Sequence, residues 1–108
     1  MYNYQAKLIR CIDGDTVEFD VDLGLRLTAR LRCRLVGVDT PERGHVDYKV
    51  ATNELKKLIV DNMDSTGSVN IQTHKTGKYG RWMVEIGENG NVNKAMAEKW
   101  PWHGYEIL

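Results

Sequence analysis

An alternating pattern over residues 16–35 limits the folds open to this chain more than any other feature. Its first half places apolar side chains at every second position, namely Val17, Phe19, Val21 and Leu23. After Gly24 the apolar positions are Leu25, Leu27, Ala29, Leu31, Cys33 and Leu35. A period of two with one apolar face predicts two strands of an antiparallel hairpin, with all ten of these side chains facing a core.

The polar positions of this hairpin carry opposite charges on its two strands. A turn centred near Gly24 predicts that Asp22 lies opposite Arg26 and that Glu18 lies opposite Arg30. Each such cross-strand pair contributes about 0.2–1 kcal/mol. We therefore interpret Arg26 and Arg30 as structural. Arg34 has no acidic partner in this register and is expected to lie beside Gly14 and Asp15.

The rest of the chain supplies the elements that complete a barrel. The pattern predicts a first strand over Lys7–Asp13, a helix over Val46–Asn62, two strands around residues 69–73 and 82–86, and a second helix over Val92–Lys99. We expect an α+β fold, mainly β: a five-stranded OB-type barrel with one helix between strands 3 and 4 and a second helix after strand 5. At 108 residues, we expect residues 1–108 to form a single domain.

Composition limits the class of protein further. Fifteen basic and fifteen acidic residues give a net charge of zero, which argues against a sequence-independent nucleic-acid coat. The chain lacks the run of roughly 20 apolar residues that a membrane span needs, and its first residues lack the features of a signal peptide. We expect a cytoplasmic monomer, with a processed secreted form as the alternative. Cys11 and Cys33 fall in predicted strands without metal-type spacing, and we expect them to be buried apolar residues.

Charged residues concentrate in three stretches, at residues 12–17, 34–42 and 78–81, each at a predicted strand end or turn. Asp15 and Asp39 offer the hard oxygen ligands that Ca²⁺ or Mg²⁺ prefers, and Thr40 adds its backbone carbonyl. Waters and a substrate phosphate complete the coordination of such a cation. These stretches therefore predict a calcium site, with magnesium as an alternative.

The same stretches supply the other groups that phosphodiester hydrolysis requires. Glu42 lies three residues beyond Asp39 and is placed to orient or deprotonate a water. Arg34 and Arg81 provide planar guanidinium groups that match phosphate oxygens and stay charged at working pH. Attack on phosphorus builds negative charge that such fixed cations stabilise.

The three stretches also carry a family resemblance. The segments "IDGDTV", "RLVGVDTPE" and "KYGR" occur in this order, with the predicted helix between the second and the third. This arrangement resembles staphylococcal nuclease and its thermonuclease relatives over about residues 7–100. The resemblance is specific because all three segments match in order, although "DGDT" or "KYGR" alone would carry little information.

The resemblance implies a role for each matching residue. Asp15, Asp39 and Thr40 match the calcium site of the family, and Glu42 matches its proposed general base. Arg34 and Arg81 match the arginines that stabilise the transition state and the leaving group. Lys78 and Tyr79 match residues that contact the terminal phosphate of a bound nucleotide. The family cleaves DNA and RNA with little sequence preference and leaves 3′-phosphates.

Several of these positions also have a structural interpretation. Asp13 is interpreted as a turn residue that supports Asp15, and Lys78 and Tyr79 could simply belong to an exposed loop. Trp102 and Tyr105 fall where the family keeps base-stacking aromatics, but packing explains them equally well. The main alternative to an enzyme is a catalytically inactive nucleic-acid- or peptide-binding module on the same barrel.

Overall fold

A computed structural model describes residues 2–76 and 81–101 of the chain. The five strands in this part are β1 (Tyr2–Asp13), β2 (Thr16–Gly24), β3 (Leu27–Leu35), β4 (Ser68–Thr76) and β5 (Trp82–Ile86). The two helices are α1 (Tyr48–Asp61) and α2 (Asn91–Lys99). The predicted element order is therefore confirmed. β1 begins five residues earlier than expected because its first half pairs with β4.

The strands form a closed barrel in the order β1-β2-β3-β5-β4. β3 and β5 pair in parallel, and the other neighbours pair antiparallel. α1 connects β3 to β4, and α2 follows β5. This mainly β, α+β arrangement is the predicted OB-like fold.

The core lies inside the barrel and extends under both helices. It includes Val17, Phe19, Val21, Cys33 and Leu35 from the hairpin, as the alternation predicted. Leu55 and Ile59 of α1 and Val92 and Met96 of α2 complete it at one end of the barrel. Full burial of an apolar side chain of this kind contributes roughly 1.5–3 kcal/mol. The inward-facing side chains of the strands therefore stabilise the barrel and also hold the helices that pack against them.

Both cysteines are free thiols. Cys33 is buried in the core, whereas Cys11 is half-buried on β1. Burial raises the pKa of Cys33 to about 12 and that of Cys11 to about 11. Both thiols are therefore protonated at neutral pH.

The prediction that the whole apolar face of the hairpin is buried is wrong at its tip. Leu23, Leu25 and Leu27 are 48%, 93% and 58% exposed. Pairing of β1 with β2 extends only to Ala6↔Val21, and pairing of β3 with β5 covers only Cys33–Leu35. The tip therefore runs past the barrel, where no second layer of the described structure covers it.

The predicted register of the hairpin is also wrong, by two residues. Asp20 lies opposite Arg30 and Glu18 lies opposite Arg32, while Asp22 lies opposite Thr28. The reason is the turn, which is centred on Leu25 and Arg26 rather than on Gly24: both residues adopt positive φ, 53° and 63°.

The shifted register keeps the charge pairing but changes its partners. Arg30 donates to Asp20 through Nε at 2.9 Å, and Arg26 lies in the turn instead of pairing with Asp22. Arg34 lies opposite Thr16, the residue after Asp15. The acidic stripe, formed by the charged side chains of β2, and the basic stripe, formed by those of β3, remain complementary because charged residues recur at every second position of both strands.

Within the described residues 2–76 and 81–101, no helix is long and apolar enough to cross a membrane.

We expect the double substitution Leu25→Asn and Arg26→Gly to raise the free energy of unfolding by about 1 kcal/mol. Positive φ at two successive turn residues suits Asn-Gly, whereas a left-handed conformation costs other residues roughly 1–2 kcal/mol each. Urea denaturation followed by circular dichroism measures the change. Leu27→Asn, which removes an exposed leucine from the strand but leaves the turn intact, is the control and should not stabilise. A double variant no more stable than the control would contradict the assignment of strain to this turn.

Candidate metal and phosphate site

The candidate site is built around the two-residue turn that joins β1 to β2. Gly14 and Asp15 form this turn, and the amide of Asp15 donates to Asp13 Oδ1 at 3.1 Å. Asp13 therefore supports the turn, as its structural interpretation predicted. A short turn held by a side chain leaves Asp15 little conformational freedom.

Gly14 is packed so closely that a side chain would not fit. A Cβ atom there would lie 2.6 Å from Thr40 Oγ1 and 2.8 Å from Ala51 Cβ. The turn is thus pressed between the segment after β3 and the first turns of α1. This contact brings residues 15 and 40 together although they are far apart in the sequence.

The Asp15 carboxylate is almost fully buried, with 6% of the residue exposed. Its Oδ1 accepts a hydrogen bond from Thr16 Oγ1 at 3.0 Å, and its Oδ2 accepts one from the Thr40 amide at 3.2 Å. Arg34 Nη1 lies 2.9 Å from Oδ2. The structure therefore brings Asp15, Arg34 and Thr40 into direct contact.

Arg34 connects the two predicted metal-binding aspartates. Its Nη1 also donates to the backbone oxygen of Val38 at 3.0 Å, and its Nη2 lies 3.8 Å from Asp39 Oδ1. The side chain of Asp39 is 41% exposed, so one of the two carboxylates, that of Asp15, is buried and the other is open to solvent. The guanidinium group is fixed from two directions, which is what bidentate recognition of an anion requires.

Asp39 and Thr40 hold their positions through the backbone. Asp39 forms a parallel β-bridge with Pro101, which follows Trp100 just after the end of α2. Thr40 is 1% exposed, and its buried hydroxyl has no hydrogen-bond partner in the described part of the chain. A buried hydroxyl of this kind has unused hydrogen-bonding capacity beside the carboxylate of Asp15.

Burial and the neighbouring Asp13 raise the pKa of Asp15 from 3.8 to about 7. Burial is the largest cause, followed by the hydrogen bonding and negative charge of Asp13. Arg34 and the Thr40 amide lower the pKa, but they offset only part of the rise. The protein alone therefore disfavours the ionised form of Asp15, and a bound cation would favour it.

These residues fit a partial site for a hard cation. Asp15 and Asp39 supply carboxylate oxygens of the kind that Ca²⁺ and Mg²⁺ prefer, and the cost of ionising Asp15 would fall when a cation binds. Within residues 2–76 and 81–101, no group of three or more His, Cys, Asp and Glu residues is arranged to hold a metal. Waters and a ligand oxygen would therefore have to complete the coordination.

Glu42 follows Thr40 by two residues and is exposed. Its backbone oxygen accepts a hydrogen bond from the His45 amide at 3.0 Å, which shapes the loop before α1. Its carboxylate makes no hydrogen bond or ion pair with the residues that the structure describes. Glu42 is therefore free to meet a ligand, but the protein alone does not orient it.

Arg81 is brought near Arg34 by the pairing of β3 and β5. It directly precedes β5, whose first pairs are Cys33↔Trp82 and Arg34↔Met83. Arg81 is half-buried. The two predicted phosphate-binding arginines therefore lie on adjacent segments of the chain, Arg34 in β3 and Arg81 just before β5. Lys78 and Tyr79, as well as Trp102 and Tyr105, lie outside the described residues.

Sequence reasoning did not identify Tyr48 as part of this site. Its hydroxyl donates to the backbone oxygen of Ile12 at 2.7 Å, and the Arg43 guanidinium lies 5.9 Å from the centre of its ring. This hydrogen bond ties the start of α1 to the end of β1, next to the Asp13–Asp15 turn. No local pattern indicates it, because the two partners are 36 residues apart.

We expect Asp15→Asn to remove a pH dependence of stability in metal-free protein. With the folded pKa raised from 3.8 to about 7, the folded chain keeps a proton that the unfolded chain has lost. Stability should therefore decrease as pH rises from about 4 to 7, by about 1.4 kcal/mol per unit of pKa difference at most. Asparagine does not titrate, so its curve lacks this decrease. Urea denaturation across this range, in EDTA, measures it.

Asp20→Asn is the matched control, because the hydrogen bond from Arg30 lowers the pKa of Asp20 and its contribution has the opposite sign. The decrease between pH 4 and 7 should persist in this variant. Parallel curves for wild type and Asp15→Asn would mean that Asp15 titrates normally.

No family model matches this chain, and no curated protein matches it at a significant level.

Proposed function

We propose that this chain is a metal-dependent, sequence-nonspecific nuclease that hydrolyses phosphodiester bonds of DNA and RNA, in the manner of the staphylococcal nucleases it resembles. The observation that carries the proposal is the guanidinium of Arg34, held between the carboxylates of Asp15 and Asp39 at distances of 2.9 and 3.8 Å. A cation-binding pair of carboxylates and a fixed phosphate-binding arginine in one small site suit phosphodiester chemistry better than simple binding.

In this proposal Asp15, Asp39 and the backbone carbonyl of Thr40 hold a calcium ion, or magnesium in its place. A cation there would polarise a phosphoryl oxygen and lower the pKa of a bound water. The burial of Asp15 suits this role, since burial is the main cause of its raised pKa and a cation would offset the cost of ionising a buried carboxylate. Asp39, which is more exposed, is accessible to the ligand side.

Arg34 and Arg81 bind the phosphate and oppose the charge that develops on its oxygens. The hydrogen bond from Arg34 to the Val38 carbonyl orients its guanidinium before the substrate arrives, so little reorganisation is needed during the reaction. Arg81 acts from the neighbouring strand on the leaving oxygen. Lys78 and Tyr79 contact a terminal phosphate.

Glu42 orients the attacking water or removes its proton. Its exposed carboxylate has no partner within the described residues, so its alignment comes from substrate and water. Cleavage leaves a 3′-phosphate, as the resemblance implies. We expect single strands to be preferred, because residues 2–76 and 81–101 provide no element beside this site that inserts into a duplex groove.

One observation favours the alternative, an inactive OB-fold module that binds nucleic acid or peptide. Oδ2 of Asp15 already contacts both Arg34 and the Thr40 amide, so the carboxylate is partly neutralised without a metal. In such a module Arg34 would be a structural partner of Asp15. Activity measurements separate the two functions.

The direct test is incubation with single-stranded DNA or RNA in Ca²⁺, Mg²⁺ or EDTA, followed by gel electrophoresis. We expect cleavage with a divalent cation, loss of cleavage in EDTA, and slower cleavage of a stable duplex. Undiminished cleavage in EDTA would contradict the metal assignment, and intact DNA and RNA under all conditions would favour the binding module.

We expect Arg34→Lys to reduce turnover by at least about 10²-fold while substrate affinity changes much less. An ammonium keeps the charge but cannot reproduce the two-pronged geometry of the guanidinium, and loss of one transition-state donor costs about 10²–10³ in rate. Turnover and affinity are measured separately with single-stranded DNA. Arg30→Lys is the control, because Arg30 lies on the same strand but pairs with Asp20 outside the site.

An Arg34→Lys variant with equal, modest losses in turnover and affinity would show that Arg34 binds the substrate and the transition state equally well. Arg34 would then be a phosphate contact or a structural partner of Asp15, and the catalytic role proposed for it would be wrong.

A further inference from the structure

A groove with a volume of about 410 Å³ lies between β1 and α1, on the outside of the barrel. Its walls include Arg10 and Cys11 from the strand and Thr52, Asn53 and Lys56 from the helix. The residues that line it include two cations and no carboxylate, although the whole chain has a net charge of zero. The groove is therefore a locally basic surface.

The strand side of this groove is an unpaired sheet edge. One edge of β1 pairs with β2 as far as Asp13, whereas the other pairs with β4 only from Tyr2 to Lys7. From Leu8 onward this second edge has no strand partner among the described residues, and α1 packs beside it. Alternate residues of a strand direct backbone N–H and C=O groups to each edge, so an edge without a strand partner can supply hydrogen-bond donors as well as acceptors.

The two cations are differently engaged. Arg10 lies 3.4 Å from Glu18, but that carboxylate is shared with Arg32 at 3.9 Å. Lys56 forms no ion pair with any residue in the described part of the chain. One carboxylate thus serves two arginines, and the charge of Lys56 remains available to a ligand.

The groove leads toward the candidate site. Burial is the main cause of the raised pKa of Cys11; the charge of Lys56 lowers this pKa and the charge of Asp13 raises it further. Both charges therefore act on the same stretch of strand. Asp13 ends β1 two residues before Asp15. At about 3.3 Å per residue, Arg10 lies roughly 10 Å along the strand from Asp13.

We propose that this groove binds the phosphate backbone of a single-stranded polynucleotide whose scissile bond lies at the Asp15–Arg34 site. This inference rests on the proposed nuclease function and adds a second binding surface to it. Cleavage at the Asp15–Arg34 site would not itself require that surface. Cations and backbone N–H groups are the usual partners of phosphate oxygens. An OB-fold contacts about 4–16 nucleotides of a single strand, more than one phosphate pocket holds.

The test compares Lys56→Gln with Lys57→Gln. Lys57 follows Lys56 in α1, carries the same charge and is exposed, but it does not line the groove. Binding of a labelled 12-nucleotide single strand is measured in EDTA over a range of salt concentrations, so that no cleavage is required. We expect Lys56→Gln to reduce the slope of log K against log salt by about 0.7 and Lys57→Gln to leave it unchanged.

Cleavage supplies a second measurement with a divalent cation present. Lys56→Gln should lower kcat/KM for the 12-nucleotide strand but leave kcat/KM for a dinucleotide unchanged, because a dinucleotide is too short to reach the groove. DNA and RNA strands should respond alike, since both carry the phosphates. A response limited to RNA would indicate contacts with the 2′-hydroxyl and would overturn the phosphate assignment.

The outcomes distinguish this inference from the proposed function. A wild type that cleaves both substrates while Lys56→Gln and Lys57→Gln behave identically would overturn the groove and leave the nuclease intact. A groove-dependent salt slope in a protein that cleaves neither substrate would support the groove and overturn the nuclease.

Discussion

The contact between the β1–β2 turn and the start of α1 is the constraint on which the rest of the site depends. With hydrogen alone as its side chain, Gly14 lets Thr40 and Ala51 approach the turn closely. That approach buries Asp15 and places the Thr40 amide within hydrogen-bond distance of its carboxylate. Tyr48 reinforces the same junction from α1 through its bond to Ile12. Without this junction Asp15 would lose its burial and its Thr40 contact, although the pairing of β2 with β3 would still place Arg34 beside the turn.

Burial at this junction sets the electrostatics of the site. A carboxylate withdrawn from water is costly to ionise, and Asp13 adds a second negative charge nearby. Arg34 offsets part of this cost and is itself held by the Val38 carbonyl. The result is an arrangement of opposite charges that is incompletely balanced. Such an imbalance would suit the proposed function, in which a cation compensates the negative carboxylates and a phosphate compensates the positive arginine.

Charge distribution is also compatible with the polyanionic substrate that we propose for this neutral chain. On the hairpin, acidic and basic stripes neutralise each other through pairs such as Asp20 and Arg30. Arg34 lies at the barrel end of the same strand, where its partners are the aspartates of the candidate site. Between β1 and α1 the two charged lining residues, Arg10 and Lys56, are both basic, and Lys56 is outside any described ion pair. Local asymmetry of this kind would attract the proposed substrate without the strong net charge of a nucleic-acid coat.

The sequence by itself determined the barrel and the element order, because strand and helix periods depend on local spacing. It also singled out the candidate site residues, because the charged stretches at residues 12–17 and 34–42 lie at strand ends. It did not determine the register of the hairpin, since complementary stripes of period two fit equally well after a shift of two residues. Only the tertiary structure decided that the turn lies at Leu25–Arg26, that the leucines at the tip are exposed, and that Asp15 is buried beneath α1. These features depend on contacts between residues far apart in the chain, and local pattern contains no information about such contacts.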